Sequence, residues 1–230
     1  RWRKHEQVSH HSVRRYLRRH RAGHAVRWPR AGPIVDLGTL YGGSGAAAIN
    51  DAGQIAGDVE VASYDSHAFF WTAARGMVDL GSLGGQSETF DMNASGQVVG
   101  DAEVGAAHEW HAFSWRPWQH MVDLGTLGGD RSHAFDVNDR GDVVGFSTTA
   151  SGQERVFVWN GTGHMRDLGP FGGTESRAWQ INDYGLAVGQ AMLTNQTFRA
   201  FAWTAGGGMV DLNRRLRRLP DRPGRASGPR

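Results

Sequence analysis

The chain has 230 residues, with 33 glycines, 7 prolines, 39% apolar and 21% charged side chains and no cysteine, which suits one ordinary domain and excludes a disulfide-stapled mini-protein. The glycines follow no three-residue period and the apolar runs are short, so collagen and a helical membrane span are excluded as well. The formal charge of +2 hides a three-part chain: residues 1–33 carry ten Lys and Arg against Glu6 alone, residues 213–230 carry seven Arg against Asp221, and the stretch between is strongly acidic.

The first element along the chain is the basic segment 1–33. Val13, Tyr16 and Leu17 could share one face of a short helix from Ser12 to Arg21, a pattern that suits nucleic acid or an anionic membrane. Its mix of Arg, Gly, Ala, Pro and His with the single lysine Lys4 instead matches an out-of-frame reading of GC-rich DNA, and no apolar leader is visible before residue 34. Residues 1–33 are therefore expected to be a disordered extension, and nucleic acid is not expected as a partner.

From residue 34 the sequence repeats. Val35-Asp36-Leu37-Gly38 recurs around Asp79, Asp123, Asp167 and Asp211, with spacings of 43, 44, 44 and 44 residues. Asn50, Asn93, Asn138 and Asn182 keep the same period, as do Gly57, Gly100, Gly145 and Gly189, and Trp71, Trp115, Trp159 and Trp203. Units of about 35–77, 78–121, 122–165 and 166–209 follow, with a fifth beginning at 210.

Each unit reads as four short strands. An Asn-Asp-x-Gly turn, as at Asn182 to Gly185, joins the first two in a tight hairpin and predicts positive φ at Gly53, Gly96, Gly141 and Gly185. The third strand, His67-Ala68-Phe69-Phe70-Trp71 in the first unit, is apolar on both faces, bulky on one and mostly small on the other. A strand buried on both sides needs a sheet above and below it. Four-stranded units of about 44 residues therefore predict an all-β fold, an array of about four antiparallel blades of a β-propeller, incomplete in its ring; a β-sandwich-like repeat is the alternative.

The segments Asp123-Leu124-Gly125-Thr126-Leu127-Gly128-Gly129, Ile181-Asn182-Asp183-x-Gly185-x-x-x-Gly189 and His67-Ala68-Phe69-x-Trp71 together resemble the HAF-repeat proteins, a family of bacterial extracellular repeat proteins. The resemblance covers roughly residues 34–213; Arg155-Val156-Phe157 and Arg199-Ala200-Phe201 depart from the His-Ala-Phe form. It implies an extracellular or cell-surface location and a scaffolding role, and it brings no catalytic residues and no cofactor.

Several residue sets carry candidate chemistry. The aspartates Asp36, Asp79, Asp123 and Asp167 could ring a cation, but each is expected to accept backbone N–H groups in the following turn, and no metal site is expected. The second unit is the irregular one: His108-Glu109-Trp110-His111 and Trp115-Arg116-Pro117-Trp118-Gln119-His120. The two histidines lack helical zinc spacing, so Trp110, Trp118 and His111 are expected as contacts to an unidentified protein or glycan. Asn93, Asn160 and Asn195 head glycosylation triplets. No nucleophile elbow or phosphate loop occurs, which favours a non-enzymatic scaffold over a propeller hydrolase or lyase with a site near the axis.

The Asp-Leu-Gly strand has five copies against four of each other strand, and Asn213 runs directly into the Arg- and Pro-rich segment 214–230, expected to be disordered. That arithmetic predicts either an open arc with an exposed strand edge, through which the chain would self-associate, or a strained four-blade ring that displaces one terminal copy.

Overall fold

The computed structural model describes residues 23–27, 33–62, 65–105, 107–117 and 119–213. The helix considered for Ser12 to Arg21 and the segment 214–230 lie outside these residues.

Four antiparallel four-stranded sheets follow one another along the chain. Blade 1 holds β3 (Ser44–Ile49), β4 (Ile55–Ala62), β5 (Asp65–Thr72) and β6 (Gly76–Asp79) in that spatial order, preceded by a pair formed by β1 (Val26–Arg27) and β2 (Val35–Asp36). Blade 2 holds β7 (Gly84–Met92), β8 (Val98–Val104), β9 (Glu109–Trp115) and β10 (Val122–Asp123). Blade 3 holds β11 (Gly128–Val137), β12 (Val143–Thr149), β13 (Glu154–Trp159) and β14 (Arg166–Asp167), and blade 4 holds β15 (Ser176–Ile181), β16 (Ala187–Met192), β17 (Phe198–Thr204) and β18 (Gly208–Asp211).

Two boundaries differ from the sequence reading. The Asp-Leu-Gly strand closes a blade instead of opening one, because it pairs with the third strand before it: Phe69 lies opposite Asp79, and Phe201 opposite Asp211. The segment at 210 is thus the outer strand of blade 4 and not the start of a fifth unit. The folded region also begins earlier than residue 34. His24-Ala25-Val26-Arg27 is a further copy of the third strand, with Leu37 N–H donating to Ala25 O at 3.0 Å as Leu80 does to Ala68 at 2.9 Å. The third strand therefore has five copies too, and the pair β1–β2 is the outer half of a blade. The basic composition of residues 1–33 concealed this, because Val26 and Arg27 replace the aromatic pair Phe69 and Phe70.

The core lies in slices between successive blades. Ala68, Leu80 and Phe70 of blade 1 pack on Met92, Val98 and Phe113 of blade 2; Ala112 and Leu124 pack on Val137, Phe157 and Trp159; Val156 packs on Ile181, Phe201 and Trp203. Ala25 and Leu37 of the half-blade meet Ile55, Phe69 and Trp71 in the same way. The small face of one sheet thus receives the aromatic face of the next, so both faces of blades 1 to 3 are covered and a two-sheet sandwich is excluded. Trp71, Trp159 and Trp203 are buried, and Trp115 partly so.

The hairpin glycines behave as their turns require, with φ of 72°, 80°, 88° and 76° at Gly53, Gly96, Gly141 and Gly185. The second periodic glycine has another cause. At Gly57, Gly100, Gly145 and Gly189 a β-carbon would collide with a carbonyl oxygen of the first strand, next to a shift in register. The first strands β3, β7, β11 and β15 approach one another from blade to blade and so line the inner edge of the arc.

Candidate functional site

The polar repeat residues are best followed from the outer strand inward. Asp79 Oδ1 accepts the Gly81 N–H at 2.7 Å, and the same bond recurs from Gly38 to Asp36, Gly125 to Asp123, Gly169 to Asp167 and Asn213 to Asp211. Across the adjacent strand, His67 Nδ1 meets Asp79 at 2.9 Å, His111 meets Asp123 at 3.0 Å, and His24 meets Asp36 at 2.8 Å. The His24 ring and the Gly38 N–H hold the Asp36 carboxyl below the ordinary carboxylate range. The histidine of the His-Ala-Phe segment is therefore a strut between the third and fourth strands. His111, expected to contact a ligand, is placed in this strut, because its repeat position faces Asp123.

A serine that the sequence reading did not single out ties one blade to the next. Ala68 N–H donates to Ser87 Oγ at 2.8 Å, and that hydroxyl donates to Gly81 O at 2.6 Å; Ala112 and Ser132, and Ala25 and Ser44, repeat the arrangement. Ser44, Ser87, Ser132 and Ser176 each precede the hairpin asparagine by six residues, a period that could have revealed them.

The asparagines do two jobs with one carboxamide. Asn138 Oδ1 accepts the Asp142 N–H at 2.9 Å and so caps its own turn, while its Nδ2 donates to Asn182 O in the next blade at 3.0 Å. Asn93 donates likewise to Asn138 O at 2.9 Å, and Asn50 to Asn93 O at 3.2 Å. A second rail runs beside this ladder, in which Ala94 N–H donates to Asp139 at 2.8 Å and Asp139 N–H to Asp183 at 2.9 Å.

The inner edge of blades 2 to 4 carries the least repetitive chemistry. Phe90, Phe135 and Trp179 stand one per blade, with ring centroids 5.4 Å and 4.9 Å apart. Next to them Asp91 accepts the Val137 N–H at 3.2 Å and Asp136 accepts the Ile181 N–H at 2.5 Å. Burial, aided by a hydrogen bond between the two carboxyls, pushes Asp136 up to about 7. His133 bonds Asp101 of blade 2 and stacks on Phe146 at 4.8 Å. Buried Glu154 bridges Arg131 at 2.9 Å and Arg177 at 2.7 Å, and the Arg177 guanidinium lies 4.7 Å from the Phe146 ring. None of these residues recurs in all four blades, so no fixed period marks them in the sequence.

The irregular rim lies at the junction of blades 2 and 3. Trp110 pairs with Glu103 on one side and forms a parallel bridge to Arg131 on the other. It is half-buried, at the repeat position held by Ser66, Glu154 and Phe198 in the other blades. His108 beside it adopts φ of 55° and faces Glu103 at 3.3 Å. Trp118 lies outside the described residues. A half-buried aromatic face of this kind can stack on a sugar ring or a planar side chain. Among the described residues no group of three or more His, Asp or Glu is arranged to hold a metal, and no helix is long and apolar enough to cross a membrane.

Radial four-stranded blades with a ladder at the inner edge define a β-propeller array whose ring is open in the described residues. The fold is similar to that of TolB from Acinetobacter baumannii, with a TM-score of 0.53 and 12% identity over 78% of this chain and 45% of the TolB chain. The chain therefore spans less than half of that protein's length. A gluconolactonase from Xanthomonas campestris, XC5397, matches with a TM-score of 0.39 and 10% identity over 82% of this chain and 68% of that one. No family model and no curated protein matches the chain.

Proposed function

We propose that this chain is a HAF-repeat-type extracellular interaction module, in which the regular blades are scaffold and the rim around Trp110 binds a protein or glycan. The observation that carries the reading is the placement of Trp110. A large aromatic stands half-buried beside Arg131 at a repeat position that needs no aromatic, whereas the repeated Asp, Asn and Ser side chains are taken up by turns and inter-blade bonds. A glycan array and a pull-down with the whole chain and with Trp110→Ala test it. The reading expects a ligand that is lost in the variant while the melting temperature holds. Equal capture by both proteins overturns it.

A second reading, a secreted propeller hydrolase or lyase, is favoured by the Asp91–Asp136 pair, since a carboxyl that burial raises to about 7 suits a general-acid role. Each of these carboxyls also accepts an N–H from the next blade, which gives the pair a structural use. Turnover in a hydrolase and lyase panel that disappears in Asp136→Asn would select this reading.

A further inference from the structure

Each first strand carries one extra residue at a break in its register with the second strand: Ala47, Phe90, Phe135 and Trp179. Blade 1 makes this bulge with an exposed alanine, so the bulge itself needs no ring. In blades 2 to 4 the same position builds a row of three half-buried rings that touch from blade to blade. A second departure from the repeat lies beside the row. Asp58 and Asp101 hold equivalent places in their second strands, and Asp58 accepts the Thr89 N–H of the next blade at 2.7 Å. Asp101 instead bonds His133, and its Oδ1 has no partner among the described residues although the side chain is 3% exposed. A buried carboxylate with an unsatisfied oxygen costs stability, and the pair does not recur, since Gly45, Glu88 and Arg177 stand where blade 3 has His133. What the pair provides is orientation. Asp101 takes the Nδ1 proton, Phe146 stacks on the ring at 4.8 Å, and Nε2 of the neutral imidazole is left as an acceptor, with the ring 6.2 Å from that of Phe135.

We propose that the inner edge of blades 2 to 4 binds an aliphatic diamine in its protonated form, with the methylene chain along Phe90, Phe135 and Trp179 and the ammonium groups donating to the acceptors beside them. The chemistry of the edge selects this class. Its half-buried polar groups accept: His133 through Nε2, and Asp91 and Asp136 through their carboxyls. The neighbouring charge that acts on Asp136 is the like charge of Asp91. Arg177, at the repeat position of His133, is already held by Glu154 at 2.7 Å. An anion would therefore meet carboxyls with no cation to answer them, and an apolar molecule would cover the acceptors without satisfying them. An ammonium group satisfies them, and the faces of the aromatic row attract its charge further. This site is separate from the rim around Trp110.

Isothermal titration of the whole chain with cadaverine, with the neutral pentanediol of the same length and with methyl glucoside tests this. The proposal expects saturable binding of cadaverine, about tenfold or more tighter than that of pentanediol, and no binding of the glucoside. Trp179→Ala should weaken cadaverine binding about tenfold with the urea midpoint little changed, because blade 1 folds with Ala47 at this bulge. Asp136→Asn, which keeps an oxygen for the Ile181 N–H, should weaken it by a similar factor and does not depend on the loss of a ring. Phe198→Ala, on the third strand of blade 4, should bind as the parent does. No saturable binding of cadaverine, equal affinity for pentanediol, preference for the glucoside, or unchanged affinity in Asp136→Asn or in folded Trp179→Ala would overturn the proposal.

Discussion

Blades 2 and 3 lie between neighbours, whereas blade 4 presents one face to no other blade among the described residues, and the same repeat positions differ between the two settings. Ala68, Ala112 and Val156 are fully buried, but Ala200 at the equivalent place is exposed; Asn93 and Asn138 are buried, but Asn182 is exposed. Local sequence is nearly constant across these positions. Burial is therefore a property of the neighbouring blade, and stability should resemble a sum of blade terms and interface terms. The interior and terminal positions then differ by amounts that can be measured.

The largest difference is expected in the aromatic core. Phe157 fills the slice between blades 2 and 3, so Phe157→Ala should destabilise by about 3–5 kcal/mol in urea unfolding. Phe198, exposed on blade 4, should change stability by less than about 1 kcal/mol when replaced by Ala. Phe198 holds the repeat position of Glu154, so similar values for the two would show that burial between blades does not set the cost.

A smaller difference is expected along the ladder. Asn138→Ala removes a turn cap and the bond to Asn182 O, and should cost about 1–3 kcal/mol. Asn182 caps its own turn through the Tyr184 and Leu186 N–H groups. Its substitution should cost about 1 kcal/mol less, since the inter-blade bond is the part that differs. Denaturant midpoints of the two alanine variants decide this.

The repeat pattern made the strands, the hairpin turns and the alternation of bulky and small faces legible, because each depends on residues that recur at a fixed period. The turn role of Asp36, Asp79, Asp123 and Asp167 is legible for the same reason, since the acceptor and its N–H donor are two residues apart. What the period did not reveal lies between blades. Asp91 and Asp136 sit where blades 1 and 4 carry Ala48 and Gln180, and their pairing depends on how two sheets approach, which no local pattern encodes. His24 to Arg27 escaped notice because substitutions had removed the aromatic pair that marks the strand, while the backbone bonds that define it are indifferent to those side chains.

The carboxyl pair gives the interior blades a pH dependence that the terminal ones lack. Asp136 holds its proton up to about 7 in the folded chain against an ordinary value of 3.8. Between these limits the folded state binds more protons than the unfolded state, so the contribution of Asp136 falls as pH rises through this window and is flat above and below it. Asp136→Asn, which keeps an oxygen for the Ile181 N–H, should flatten the stability profile from about pH 4 to about pH 7. Gln180→Ala in blade 4 should leave the profile unchanged. A variant profile that parallels the parent would show that the Asp136 carboxyl is not raised in the folded chain.

The smallest effect is expected at the histidine struts, and it sharpens the comparison because the strut occurs in both settings. His111 and Asp123 belong to an interior blade, with the histidine largely covered, whereas His24 and Asp36 lie on the half-blade with both partners well exposed. Solvent screening weakens an exposed pair, so His111→Ala should cost about 0.5–1 kcal/mol and should lose part of that difference in high salt. His24→Ala should leave global stability unchanged, because the half-blade contributes one edge of one core slice. Its effect should instead be local, as faster amide exchange at Leu37, whose N–H bonds Ala25 across the strut. If His24→Ala lowers the global midpoint as much as His111→Ala does, the half-blade unfolds together with the four blades and the division between interior and edge disappears.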